Sequence, residues 1–199
     1  MINFARRSIR TVSIACALGA TGLLAPIVSA AQADVVGIDS CSPEALSRPF
    51  ARWLDVAKYE LAPAGDFESS GWTLTGGATP VAGSEPYAVT GTLGSSSLSL
   101  PAGSTAQSPL ACVDATHPSV RFFIAGSGSV AVNVVDGDLV IPAGVAVADG
   151  AWSPTPVMVT ASAVLSALSG GTAQVSVTVT ALAGRVRIDD VFIDPWRVG

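Results

Sequence analysis

The 199-residue chain has little charge and few groups that do chemistry. Asp, Glu, Lys and Arg together make 13% of it. Lys58 is its one lysine, His117 its one histidine, and Asn133 its one asparagine beyond Asn3. There are three cysteines, two of them beyond the N-terminal segment, and no CxxC or zinc-ligand spacing, so a structural zinc site has no donor set. No Gly-rich phosphate loop and no nucleophile-elbow pattern appear, which removes the commonest nucleotide and acyl-transfer signatures. Basic residues number 10 against 15 acids, for a formal charge of −5. Such a chain has no electrostatic footprint for nucleic acid or anionic lipid.

The N-terminus reads as an export signal. Arg6, Arg7 and Arg10 give a positive start, and residues 11–28 are small or apolar without charge. Ala31-Gln32-Ala33 fits the small-x-small cleavage rule, so residues 1–33 form a signal peptide with a mature start at Asp34. A retained anchor is the rival reading. Gly19, Gly22, Pro26 and the small residues at the end favour cleavage. Cys16 would suit lipidation, except that Ser13 stands where an aliphatic residue is needed. The chain has no sorting motif or hydrophobic tail after Ile193, which favours release. The expected location is outside the cell, with no membrane contact after cleavage.

Cleavage leaves 166 residues, enough for one domain with a core. The charge moves from −5 to −8, because three arginines leave. Two cysteines remain, Cys41 and Cys112. An even pair in an exported chain oxidises, and closing a loop of about 70 residues contributes on the order of 4 kcal/mol.

Residues 34–62 form an N-terminal arm with Pro43, Pro49, Phe50, Trp53 and Tyr59. Phe50, Trp53 and Leu54 lie at helical spacing, and Pro49 forbids one continuous helix. The arm is expected to dock its aromatics on the domain. Trp53 and Tyr59 as a sugar-stacking pair is the second reading.

Residues 63–199 read as strands. Val175, Val177 and Val179 alternate with Ser176, Thr178 and Thr180, and Val130, Val132 and Val134 do the same. Leu98 and Leu100 share one face. Phe122 and Phe123 point to opposite faces. Pro142 and Gly144 mark a bend or an edge strand. Gly and Asp clusters at regular intervals separate these runs. Short alternating strands with such punctuation predict an all-β antiparallel sandwich. One short helix is expected over 162–168. There is no internal repeat.

Two acidic runs bracket this domain, Gly65-Asp66-Phe67-Glu68 before Gly71-Trp72, and Ile188-Asp189-Asp190-Val191 at the end. With the Ser97-Leu98-Ser99-Leu100 strand between them, they resemble the jelly-roll carbohydrate-binding modules and the wider galactose-binding-domain-like fold. The chain also resembles uncharacterised secreted proteins of high-GC Gram-positive bacteria, on the stretch from Trp53 through Glu68 and the Asp-Asp-Val ending. The resemblance implies a jelly-roll sandwich whose first and last strands meet. It also implies a structural calcium held by Glu68 and Asp189, with Asp66 and a carbonyl near Ser96. Calcium takes six to eight oxygen ligands and would neutralise clustered carboxylates. On a regular strand Asp189 and Asp190 face opposite ways, so one of them points inward.

The functional reading is a non-catalytic binding module for a glycan or cell-surface ligand, acting as a monomer. Its candidate ligand-binding residues are Tyr87, Arg121, Asn133 and Trp152. The alternative is a structural or adhesive envelope protein that contacts other proteins. A third reading is a small hydrolase using His117 with Asp114, or Glu68 paired with Asp189 or Asp190. Trp72 reads as core. If the Cys41–Cys112 bridge forms, thiol labelling of the denatured exported protein finds no free cysteine, and two labelled thiols would refute it.

Overall fold

The computed structural model describes residues 45–114, 119–160 and 172–194. The signal segment, Cys41, His117, the helix expected over 162–168 and Trp196 lie outside the described residues. Eleven strands follow in chain order: β1 (Leu46–Ser47), β2 (Tyr59–Leu61), β3 (Thr73–Thr75), β4 (Thr79–Ala82), β5 (Ser96–Pro101), β6 (Thr105–Gln107), β7 (Ala111–Asp114), β8 (Ser119–Asp136), β9 (Leu139–Pro154), β10 (Met158–Val159) and β11 (Thr172–Asp194). A 3₁₀ turn at Ala51–Trp53 is the one helical element among the described residues. The chain is an all-β antiparallel sandwich, as its patterning predicts.

β11 is the spine. One of its edges carries β8 along almost its whole length. The other edge carries β7, β6, β5 and β2 in turn. β9 and β10 line the far edge of β8. β3 pairs with β6, β4 with β5, and β1 with β2.

Side chains from the full length of β8 and β11 enter one core. β8 sends in Val120, Phe122, Ile124, Val130, Val132 and Val134. These share one parity, as strand geometry requires. β11 changes parity twice. Ala173 to Ala181 enter as odd residues, Val186 and Ile188 as even ones, and Val191 and Ile193 as odd again. Each change falls at a register shift, one between Ala181 and Ala183 and one between Asp189 and Phe192. An extra residue rephases the strand and bends it. Only a sheet that folds over can bury both halves of the same strands in one core.

The fold-over is tightest where β8 passes β11 at two glycines. A Cβ on Gly128 would stand 2.1 Å from the Ala183 carbonyl oxygen, and one on Gly184 2.0 Å from that of Ser127. Gly184 also has φ of +69°, where a side chain is strained.

The other face of the sheet is covered at one end. Phe123 of β8 and Phe192 of β11 point away from the main core and meet Phe50 and Tyr59 of the arm. All four rings are buried to 1% exposure or less. Phe50 stacks on Phe123 at 5.3 Å and meets Tyr59 edge-on at 4.9 Å. Burial of a ring this large is worth about 1.5–3 kcal/mol. β2 then continues the arm into the sheet, so residues 45–61 belong to the domain.

The two acidic runs meet through backbone. The Val191 amide donates to the Gly65 carbonyl at 3.0 Å, and the Ala62 amide donates to the Val191 carbonyl at 2.8 Å. First and last parts of the domain close there.

Gly184→Ala is expected to lower unfolding stability by at least about 2 kcal/mol, from a carbonyl clash added to a strained φ. A urea midpoint equal to that of the parent chain would contradict this account of the corner.

Candidate ligand-binding site

Three of the four candidate ligand residues sit together at the arm-covered end. Arg121 projects from β8 on the same face as Phe123 and is 7% exposed. Its Nε and one terminal nitrogen donate to the Thr155 carbonyl at 3.0 and 2.8 Å. Its other terminal nitrogen is ion-paired with Asp55. The guanidinium also lies 4.2 Å from the centre of the Phe50 ring. Asp55 in turn accepts from the Tyr59 hydroxyl at 2.7 Å and the Ala57 amide at 3.1 Å. Burial raises the Asp55 pKa, but the Tyr59, Ala57 and Arg121 donors outweigh it, and the net shift is downward. Arg121 therefore fastens the arm, and its donors are spent on the protein.

Tyr87 and Trp152 lie beside this cluster, both half-buried. The Tyr87 hydroxyl donates to the Trp152 carbonyl at 2.6 Å. Trp53 of the 3₁₀ turn meets the Tyr87 ring edge-on at 4.9 Å. Two arginines cap these rings. The exposed Arg52 stands 5.1 Å from the Trp53 ring and 4.9 Å from Tyr87. Arg187 stands 5.4 Å from Trp152. The result is a strip of Trp53, Tyr87 and Trp152 with a cation toward each end. Sequence reading missed both arginines, because cross-strand packing brings them to these rings.

Asn133 is elsewhere. It is half-buried on β8 and pairs with Thr178 of β11 and Pro142 of β9. Thr178 pairs with Gln107, which pairs with Thr73. The next row runs Thr75, Thr105, Thr180, Ala131 and Val145. The Thr105 and Thr180 hydroxyls share a hydrogen bond of 3.0 Å. This is a second surface of small uncharged polar groups, without aromatics. Ser176 is expected outward and does face that way. It is nevertheless buried, because the Gln107 side chain covers it and donates to its hydroxyl at 2.7 Å. Trp72 is half-buried, packs on the main core, and donates through Nε1 to the Pro63 carbonyl at 3.2 Å.

The carboxylates gather differently from the sequence expectation. Asp189 and Asp190 do not face opposite ways. The register shift beside them places Asp190 at φ +47°, and both side chains are buried. Both turn to Glu85, a buried residue that sequence reading missed. The Glu85 amide donates to Asp189 at 2.8 Å, and the Asp190 and Glu85 side chains share a hydrogen bond. Glu85 accepts from the amides of Tyr87 and Val89, so it folds the loop that presents Tyr87. Burial first, then the Glu85 charge, lifts Asp189 to about 6. Burial, then the charges of Asp189 and Glu85, lifts Asp190 to about 8. A proton kept on Asp190 lets these acids share a buried place.

Glu68 accepts from the Ser95 and Ser96 amides at 2.7 Å and the Ser95 hydroxyl at 2.6 Å. The Ser95 hydroxyl and these amides hold its pKa below the ordinary value. Asp66 accepts from the Glu68 amide at 3.3 Å. Among the described residues, no group of three or more His, Cys, Asp or Glu is disposed to hold a metal ion. Glu68, Asp66 and Asp189 are each turned to protein donors instead of to one another. As arranged, they do not fit the calcium that the resemblance implies.

No family model matches the chain, and no curated protein matches it. Solved structures with a similar course include the C-terminal family 6 carbohydrate-binding module of LamC, a marine laminarinase from Zobellia galactanivorans. The two are 14% identical over 61% of this chain and 90% of that one, with a TM-score of 0.45. A family 6 module from Clostridium stercorarium in complex with cellobiose is 13% identical over 61% and 86%, with a TM-score of 0.40. A family 61 module in complex with β-1,4-galactotriose is 16% identical over 77% and 99%, with a TM-score of 0.36. At these values the likeness assigns no ligand.

The acid cluster sets a pH dependence. The folded pKa values of Asp189 and Asp190 are raised, so the folded state holds protons that the unfolded chain releases. Stability then falls as pH rises from about 4 to about 8. Denaturation midpoints at several pH values should show this fall, and Asp190→Asn should flatten it, since an amide donates to Glu85 as the protonated acid does. A chelator should leave the parent's melting temperature unchanged. A melting temperature that falls with chelator would show these acids to be a metal site after all.

Proposed function

We propose that the protein is a non-catalytic, secreted module that binds a glycan or cell-surface ligand at the strip of Trp53, Tyr87 and Trp152. The observation that carries this reading is the fixing of the strip. Three half-buried rings pack on a fully buried aromatic cluster, and one hydrogen bond ties Tyr87 to the Trp152 backbone. Sugar rings present apolar C–H faces that lie on aromatic surfaces, with polar groups at the rim giving orientation. Rings already held in place lose little entropy on binding. Secretion is supported by the sequence of the N-terminal segment.

Asn133 and its hydroxyl rows form a separate surface. With the exposed Val145 and Val147 on β9, they favour a second reading, contact with other envelope proteins. Cross-linking on intact cells distinguishes it, because a freely diffusing protein yields no adducts.

Wall, capsular and plant polysaccharides should be titrated against the mature chain by tryptophan fluorescence. At least one is expected to shift the emission, and Trp53→Ala is expected to weaken that binding about tenfold, a stacking loss of about 1.4 kcal/mol. Silence across all three classes would sink the glycan reading.

A further inference from the structure

The arginines at the aromatic end divide into two kinds. Arg121 is buried and paired with Asp55. Arg52 is exposed and, among the described residues, has no hydrogen bond or ion pair; its contacts are the Trp53 and Tyr87 rings. Arg187 is held from one side. Its Nε donates to the Ser97 hydroxyl, and one terminal nitrogen donates to the Ala82 and Gly83 carbonyls and to Ser97. The other terminal nitrogen has no acceptor among the described residues. These bonds set the guanidinium over Trp152.

A chain with 15 acids and 10 bases has carboxylates to spare. Among the described residues, neither of these cations is paired with one. Glu85, in the loop that carries Tyr87, turns its oxygens inward to the Tyr87 and Val89 amides. Two cations flanking fixed rings, both without a counter-ion among the described residues, form an incomplete site. A guanidinium is completed by a planar two-oxygen anion, which it meets with paired hydrogen bonds.

We infer that the Arg52–Trp53–Tyr87–Trp152–Arg187 strip recognises saccharides that bear a carboxylate, the uronate class. This rests on the glycan reading and narrows it. A pyranose face lies on the rings, and its carboxylate reaches a guanidinium at either end. The aromatic floor favours a ring-borne carboxylate over the flexible phosphodiester of a polyol chain.

The test titrates the mature chain with polygalacturonate and alginate as uronate polymers, with xylan-backbone and dextran polymers as neutral ones, and with a polyol phosphate polymer. Uronate polymers are expected to bind at least about tenfold tighter than neutral ones, and more weakly at high salt. Arg52→Gln should reduce uronate binding at least about fivefold at a melting temperature within about 2 °C of the parent's, since among the described residues Arg52 makes no hydrogen bond to lose. Arg187→Gln should do the same, read beside its own melting temperature because its backbone contacts are also removed. Equal affinity for neutral and uronate polymers, unmoved by Arg52→Gln, overturns the inference and leaves the glycan reading standing. Preference for the polyol phosphate overturns it in favour of phosphate recognition. Binding to none of these polymers overturns it, and binding to no polysaccharide of any class overturns the glycan reading too.

Discussion

A single buried guanidinium fastens the outer layer of this molecule. Arg121 comes from an interior strand of the sheet and is buried, so a charge there without partners would cost several kcal/mol. Asp55 of the arm and the Thr155 carbonyl supply those partners, and Phe50 covers the guanidinium's face. The arm is therefore required by the sheet as much as the sheet by the arm. Phe50 and Tyr59 follow it down onto Phe123 and Phe192. Breaking the pair from one side would leave the other charge stranded, a loss of about 3–5 kcal/mol.

The surface features inherit their order from that attachment. Trp53 precedes Asp55 by two residues and lies against Phe123 at 5.3 Å. Tyr87 packs on the same ring at 5.6 Å, held from beneath by Glu85. Glu85 in turn depends on the closing strand, where an extra residue swings Asp190 toward it. The aromatic strip is thus set by two buried polar devices, one basic and one acidic, on either side of Phe123. The acidic device has a cost. Burying these carboxyl groups together keeps Asp189 and Asp190 protonated to higher pH, and stability declines as alkalinity removes those protons.

Much of the fold could be read from period-two patterning. The alternation in β8 and β11 places the right valines inward, and the opposition of Phe122 and Phe123 follows from strand geometry alone. The docking of Phe50 and Tyr59 follows from aromatic residues in an arm too short to bury them. The strand bulges do not show in such patterns, because a one-residue insertion reverses the parity of everything after it. That is why Asp189 and Asp190 read as facing apart when they converge. Glu85 was illegible for another reason: it lies in a loop more than a hundred residues from its acidic partners. Tyr87 and Trp152 were legible as aromatics near turns, yet the cations above them come from the arm and from β11. Arg121 reads as a polar residue among aromatics, a pattern that suits a ligand contact and an arm attachment equally, and its donors go to the arm and to Thr155.

The arm is part of the folded domain instead of a loose cover. Native-state hydrogen exchange of the β2 amides, Tyr59–Leu61, measures this directly. Exchange of Leu61 with the same opening free energy as the central amides of β8 is the predicted result, because arm and sheet then unfold as one unit. Rapid exchange in β2, while β8 remains protected, would contradict it: the arm would open on its own, and neither the aromatic strip nor its flanking arginines would be held in place.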